Sequence, residues 1–182
     1  MTGVQTCALP IFFARICGYF DSAGFSIQDA KIHTTRAGFA LDTFQVVATH
    51  GMLPDSPGGY RDLISLVETQ ATLALSSTGP LPEPRSGRVS RRVRSFPVTP
   101  RVSLAPDERA QRWLLTVSAS DRSGLLYAIA RVLARHRINL QLAKITTLGE
   151  RVEDTFLVDG AVLQQNRAQI EIESELLDAI TA

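Results

Sequence analysis

Ala30-Lys31-Ile32-His33-Thr34 and Ala143-Lys144-Ile145-Thr146-Thr147 are two versions of one short run, 113 residues apart. Working outward from them sets Phe12–Arg36 against Leu125–Gly149. Six of those 25 positions are identical, among them Ile16/Ile129 and Gln28/Gln141. Apolar positions coincide too: Phe12/Leu125, Phe13/Leu126, Tyr19/Val132, Phe20/Leu133, Phe25/Ile138 and Ile27/Leu140. After a one-residue gap, Asp42-Thr43-Phe44 meets Asp154-Thr155-Phe156. Identities clustered in one order indicate a duplicated structural unit.

Both copies predict the same plan. Phe12, Phe13, Ile16, Tyr19 and Phe20 fall on one helical stripe, as do Leu125, Leu126, Ile129, Val132 and Leu133. A β-rich run follows, Phe25–Thr35 or Ile138–Leu148. Its apolar phase switches from Ile138/Leu140/Leu142 to Ala143/Ile145, which predicts a bulge or a late strand start. A turn at Gly38 or Gly149 leads to a second strand, Phe39–Ala48 or Arg151–Val158, closing an antiparallel hairpin. A second helix runs from about Pro57 or Gly58 to Leu75, with Leu63, Ile64, Val67, Ala71 and Leu75 on one side and Ser56 as its cap. Its counterpart is expected at Asn166–Ile180, with Leu176, Leu177 and Ile180 inward.

Trp113–Ala119 is an apolar, β-branched strand preceding the second copy. Strand, helix, strand, strand, helix is the ferredoxin-like plan without its last strand. Ser95–Leu104 can fill that edge, with Phe96, Val98 and Val102 apolar and Ala105–Gln111 turning the chain back. The fold class expected is α+β: two ferredoxin-like units of βαββαβ type with antiparallel sheets, the first truncated at its N-terminus. Residues 12–78 form the first unit, 79–94 a Pro/Arg-rich linker and 95–182 the second. Met1–Ile11 matches nothing in the second copy and resembles translated adapter read-through, so it is expected to be a non-native leader.

The 182 residues carry 19 basic and 18 acidic side chains, a net charge of +1, which argues against a polyelectrolyte built for nucleic acid or an anionic membrane. No apolar run approaches the roughly 20 residues of a membrane span. Cys7 and Cys17 offer neither a disulfide framework nor zinc spacing, and a cytoplasmic setting is the default. The balance hides one bias: Gly79–Arg101 holds six arginines, five prolines and the single acid Glu83, the composition of an extended connector.

Asp121-Arg122-Ser123-Gly124-Leu125-Leu126 is the candidate ligand loop. A strand ends there and a helix begins, so the helix's first amides lack internal acceptors and carry the positive end of its dipole. A carboxylate suits that place. Gly124 allows close approach, Asp121 can accept an ammonium, and Asn139 adds an amide at the next strand. An amino acid has both charges. The plainer reading is that Asp121 or Ser123 caps a helix and Gly124 turns the chain.

With the duplication, the Asp121–Leu126 loop resembles tandem ACT domains, which bind amino acids. Ala30–Thr35, Ala40–Phe44, Pro97-Val98-Thr99-Pro100-Arg101-Val102 and Ala143–Phe156 are more narrowly similar to the C-terminal ACT region of the family of bacterial bifunctional uridylyltransferase/uridylyl-removing enzymes. The resemblance covers roughly Phe12 to Ala182, and Met1–Ile11 departs from it. It implies a glutamine-sensing regulatory region of an enzyme that uridylylates and deuridylylates the PII protein. It also implies that the catalytic domains, with a divalent metal such as magnesium, lie outside this chain, which itself has no cofactor.

No catalytic or metal-ligating set is expected within the chain. His33, His50 and His136 are scattered, Cys17 reads as a buried structural thiol, and Asp42 and Asp154 as strand-end or turn residues. Two alternatives stay open. One is an ACT module of another amino-acid-responsive enzyme. The other is an RRM-like RNA binder, which would need aromatic residues on its central strands.

Overall fold

The computed structural model describes residues 9–34, 40–48, 57–84, 98–107, 112–149 and 151–181. Its elements are α1 (Leu9–Ser22), β1 (Phe25–Thr34), β2 (Ala40–Ala48), α2 (Pro57–Ser76), β3 (Arg101–Asp107), β4 (Arg112–Ser120), α3 (Leu125–Arg135), β5 (Asn139–Lys144), β6 (Thr147–Leu148), β7 (Arg151–Asp159) and α4 (Asn166–Thr181), with one 3-10 turn at Ala161–Gln164. The leader Met1–Ala8, Cys7, His50, the Ser56 cap and the Arg85–Arg94 part of the linker lie outside the described residues.

One antiparallel sheet runs in the order β2-β1-β5-β7-β4-β3, with β6 paired to β7. Strand alternation sends Ala30, Ile32, Leu115, Val117, Ala119, Ala143, Val152, Phe156 and Val158 into the core. The helices cover that face. Lys31, Leu41, Leu114, Leu142 and Lys144 point to the open one. α3 is the most embedded helix, with eight buried residues from Leu125 to Leu133. Each buried Leu or Ile there contributes roughly 1.5–3 kcal/mol.

The edge strand expected upstream is present. β3 pairs antiparallel with β4 from Arg101↔Ser118 to Asp107↔Arg112. It runs from Arg101 past Leu104 to Asp107, and the expected start at Ser95–Pro97 lies outside the described residues. Pro106 is tolerated because this is an edge strand, and the Leu104 amide donates to Glu173 Oε1 at 2.7 Å. The phase switch is also a true bulge. β5 slips against β7 between Leu140 and Leu142, and β1 slips against β2 between Ile27 and Asp29. The skipped residues are Gln141 and Gln28, which the repeat matches with each other.

Three expectations need correction. The run Ile138–Leu148 is not one strand: it breaks at Ile145–Thr146, where the Thr146 amide turns to Asp154 Oδ1 at 3.2 Å and its carbonyl accepts from Glu153 N. Leu177 is 41% exposed, because the buried line of α4 is Ile172, Leu176 and Ile180, four residues apart. Ile64 is 57% exposed, and Leu75 is exposed too, while Leu63, Val67, Ala71 and Ala74 are half-buried where α2 packs against α1.

The two halves meet directly. β1 pairs antiparallel with β5 through Lys31↔Lys144, Ile32↔Ala143 and His33↔Leu142. Below the sheet α1 packs on α3. Gly18 makes that crossing possible: a Cβ there would stand 2.7 Å from the Tyr127 ring. The start of the linker is strapped across the same helices. Arg15 Nη2 donates to Gly79 O at 2.7 Å, Tyr127 Oη donates to Pro82 O at 2.7 Å, and Arg131 forks onto Glu83.

Candidate functional site

β4 ends at Ser120 and the chain turns through Asp121–Ser123 into α3. Gly124 occupies the N-cap with φ 76°, a left-handed angle that favours glycine. No side chain caps the helix; the Leu125 amide donates to Arg122 O at 3.3 Å, and the amides that follow it in the first turn have no intrahelical acceptor. Beside this turn lies a half-open cleft of about 40 Å³, measured to the centres of water-sized spheres. Asp121, Arg122, Ser123, Gly124, Leu125 and Leu126 form one wall. Cys17 and Asp21 of α1 with Phe25–Ile27 at the start of β1 form the facing wall. Asp154 and Val152 of β7, with Ile145 and Thr147, complete the lining.

Of the residues expected from sequence, Asp121–Leu126 line this cleft. Asn139 stands apart. It opens β5 opposite Asp159, at the end of the sheet far from the loop, and its Nδ2 donates to Asp159 Oδ1 at 3.0 Å. Arg122 lines the cleft, but its Nη2 donates to Ala179 O at 2.6 Å near the C-terminus of α4, where a cation also suits the dipole. Burial lowers the Arg122 pKa, and the Asp21 charge opposes that shift.

Asp154 is the residue that sequence reasoning misplaced. It is no strand-end acid: it sits within β7, 2% exposed, on the inward row with Val152, Phe156 and Val158. The signal was present, because the alternation V-x-D-x-F-x-V points its side chain to the core. Burial pushes its pKa up to about 7, the Thr146 N–H opposes that shift, and the Asp121 charge adds to it. Cys17 is 1% exposed. Its thiol is held protonated by burial first and then by the charges of Asp42 and Asp154, consistent with a structural thiol rather than a nucleophile.

Among the described residues no cluster of three or more His, Cys, Asp or Glu could hold a metal ion. No described helix is long and apolar enough to cross a membrane.

Residues 113–174, which hold the glycine turn and the start of α3, match the ACT domain family. Over 172 residues, 94% of the chain, the sequence is 60% identical to the bifunctional uridylyltransferase/uridylyl-removing enzyme of Cupriavidus pinatubonensis. It is 59% and 58% identical to the proteins of that name in Cupriavidus metallidurans and Ralstonia nicotianae. The chain spans about a fifth of the length of these curated relatives, 20% in each case. No solved structure matches it.

Proposed function

We propose that the chain is an amino-acid-sensing regulatory region built from two ACT units, and that its ligand is glutamine or a close analogue. The observation that carries this reading is the cleft at the uncapped start of α3, walled by α1 and β1 from one half and by the Asp121–Leu126 loop from the other. A ligand there touches both halves, so it can favour one arrangement of them over another. The tandem reading is supported by the helix-strand-strand-helix order in each half and by repeat-matched elements meeting at the seam, β1 with β5 and α1 with α3. In this proposal 12–78 and 95–182 are the units and 79–94 joins them. Among the described residues no strand lies on the free side of β2. α1 begins at Leu9, within the stretch expected to be a leader.

The cleft is much smaller than the roughly 150 Å³ cavity that holds benzene. Glutamine therefore has to widen the seam between α1 and the loop. The motion is a local parting, because a shared ladder and the strapped linker join the halves; a free swing of two beads on a flexible connector does not fit.

By resemblance, the longer protein acts in the cytoplasm, adding uridylyl groups to the PII protein and removing them with a divalent metal such as magnesium in domains outside this chain. An ACT module of another amino-acid-responsive enzyme would use the same cleft. An RNA-binding reading is disfavoured: the central-strand aromatic Phe156 is fully buried toward the helices, where no base can stack.

Titration calorimetry of this chain against the twenty amino acids tests the sensor reading. Saturable heat with glutamine, with affinity about tenfold weaker in Gly124→Ala, is the expected result. No heat with any amino acid refutes it.

A further inference from the structure

Two features of the cleft pull on opposite charges. The first amides of α3 present partial positive charge to it. Asp154 presents a carboxyl that is 2% exposed, accepts one hydrogen bond, from Thr146 N, and makes no ion pair among the described residues. A buried carboxylate without a cation is costly. The arginine nearest to hand in the lining, Arg122, has a guanidinium nitrogen committed to Ala179 O. An anion alone would face Asp154, Asp121 and Asp21, and a cation alone would face the helix dipole. A zwitterion satisfies both ends.

We propose that Asp154 is the ammonium-recognising residue of this cleft, taking the α-ammonium of a free amino acid whose carboxylate rests on the opening amides of α3. The proposal rests on the sensor reading and adds the group that selects amino acids from simple carboxylic acids. Ligand binding then requires Asp154 to be ionised. The charged or titratable groups around it are Asp121 from the loop, Arg122, Asp21 and Cys17 from α1, Tyr127 from α3, and Asp42, whose charge also reaches Cys17. Burial keeps Cys17 and Tyr127 protonated, which leaves Asp154 to titrate near neutrality.

The test is calorimetry of the 182-residue chain with L-glutamine and with 4-carbamoylbutanoate, which lacks the α-ammonium, at pH 6, 7 and 8. Glutamine affinity should rise about tenfold from pH 6 to pH 8, as expected for a group that must shed a proton held to about pH 7. 4-Carbamoylbutanoate should bind at least tenfold more weakly than glutamine. Asp154→Asn, checked for native circular dichroism, should weaken glutamine at pH 8 at least tenfold and abolish both the pH dependence and the discrimination. Glutamine affinity in Asp154→Asn equal to that of the unmodified chain at each of the three pH values overturns this proposal and leaves the sensor reading standing. Binding of no amino acid by the unmodified chain overturns both.

Discussion

Lys31 and Lys144 are Cα partners across β1 and β5, on the open face of the sheet. They are the chain's only lysines, and the internal repeat matches them with each other. Pairing of matched residues places a local two-fold axis between the strands, and Ile32↔Ala143 obeys it, since Ile32 matches Ile145 and Ala30 matches Ala143. A two-fold seam is self-complementary by construction. Its cost is that any charge near the axis meets its own copy.

Like charges directly opposed on neighbouring strands are unfavourable. Lys144→Glu should therefore stabilise the protein by about 1 kcal/mol at low salt, seen as a rise in Tm of about 2–4 °C. Added salt should shrink the gain. An unchanged Tm at low salt would mean that the two ammonium groups diverge.

Asp154 sets the pH dependence of stability. Its folded pKa of about 7 lies above its ordinary value of 3.8, so the folded state holds a proton that the unfolded state has lost. The stability due to the neutral carboxyl is complete below about pH 4 and declines as pH rises to about 7, then levels. Asp154→Asn keeps an acceptor for Thr146 N and removes the titration. It should match the unmodified protein near pH 4 and exceed it at pH 8 by roughly 2–4 kcal/mol. Urea melts at both pH values decide it; parallel curves for the two proteins would show that Asp154 does not titrate this way.

Gly124→Ala forces a side chain onto a φ of 76°. The expected loss is about 1–2 kcal/mol of stability, together with about tenfold weaker glutamine binding as the opening amides are displaced. Thermal melts with and without glutamine separate the two effects.

Gly18→Ala places a methyl 2.7 Å from the Tyr127 ring and should cost about 1–3 kcal/mol by prising α1 from α3. Gly58→Ala meets nothing within 4 Å and should be neutral or stabilising by up to about 1 kcal/mol. Equal effects from the two substitutions would contradict the close helix crossing.

Tyr127→Phe removes the hydrogen bond to Pro82 O, worth about 1 kcal/mol, and loosens the strap on 79–84. Limited proteolysis should cut that stretch faster in the variant, with little change elsewhere.

Periodicity made most of the fold legible. The helical stripe at Leu125–Leu133, the alternation in Trp113–Ala119 and the phase switch at Gln141 each report local geometry, because side-chain direction follows from backbone period alone. The missing edge strand was legible too, since an open sheet edge demands a partner. The role of Asp154 was hidden by its residue type. An acid at a strand position reads as solvated, although its neighbours in the alternation were all apolar. The burial of α2 was overstated for the opposite reason. Its apolar arc is wide, and nothing local tells which part another element will cover.

Chain order and residue pattern by themselves determined the helix-strand-strand-helix order in each half, the change of strand phase at Gln141 and the loop at Gly124. Only the tertiary structure decided that the two halves share one sheet through Lys31 and Lys144, that the cleft takes one wall from α1 and β1, and that Asn139 is spent on Asp159 at the far end. Some of those contacts join residues more than a hundred positions apart. Their choice depends on which apolar faces bury each other best, a property of the packed whole that no local period encodes.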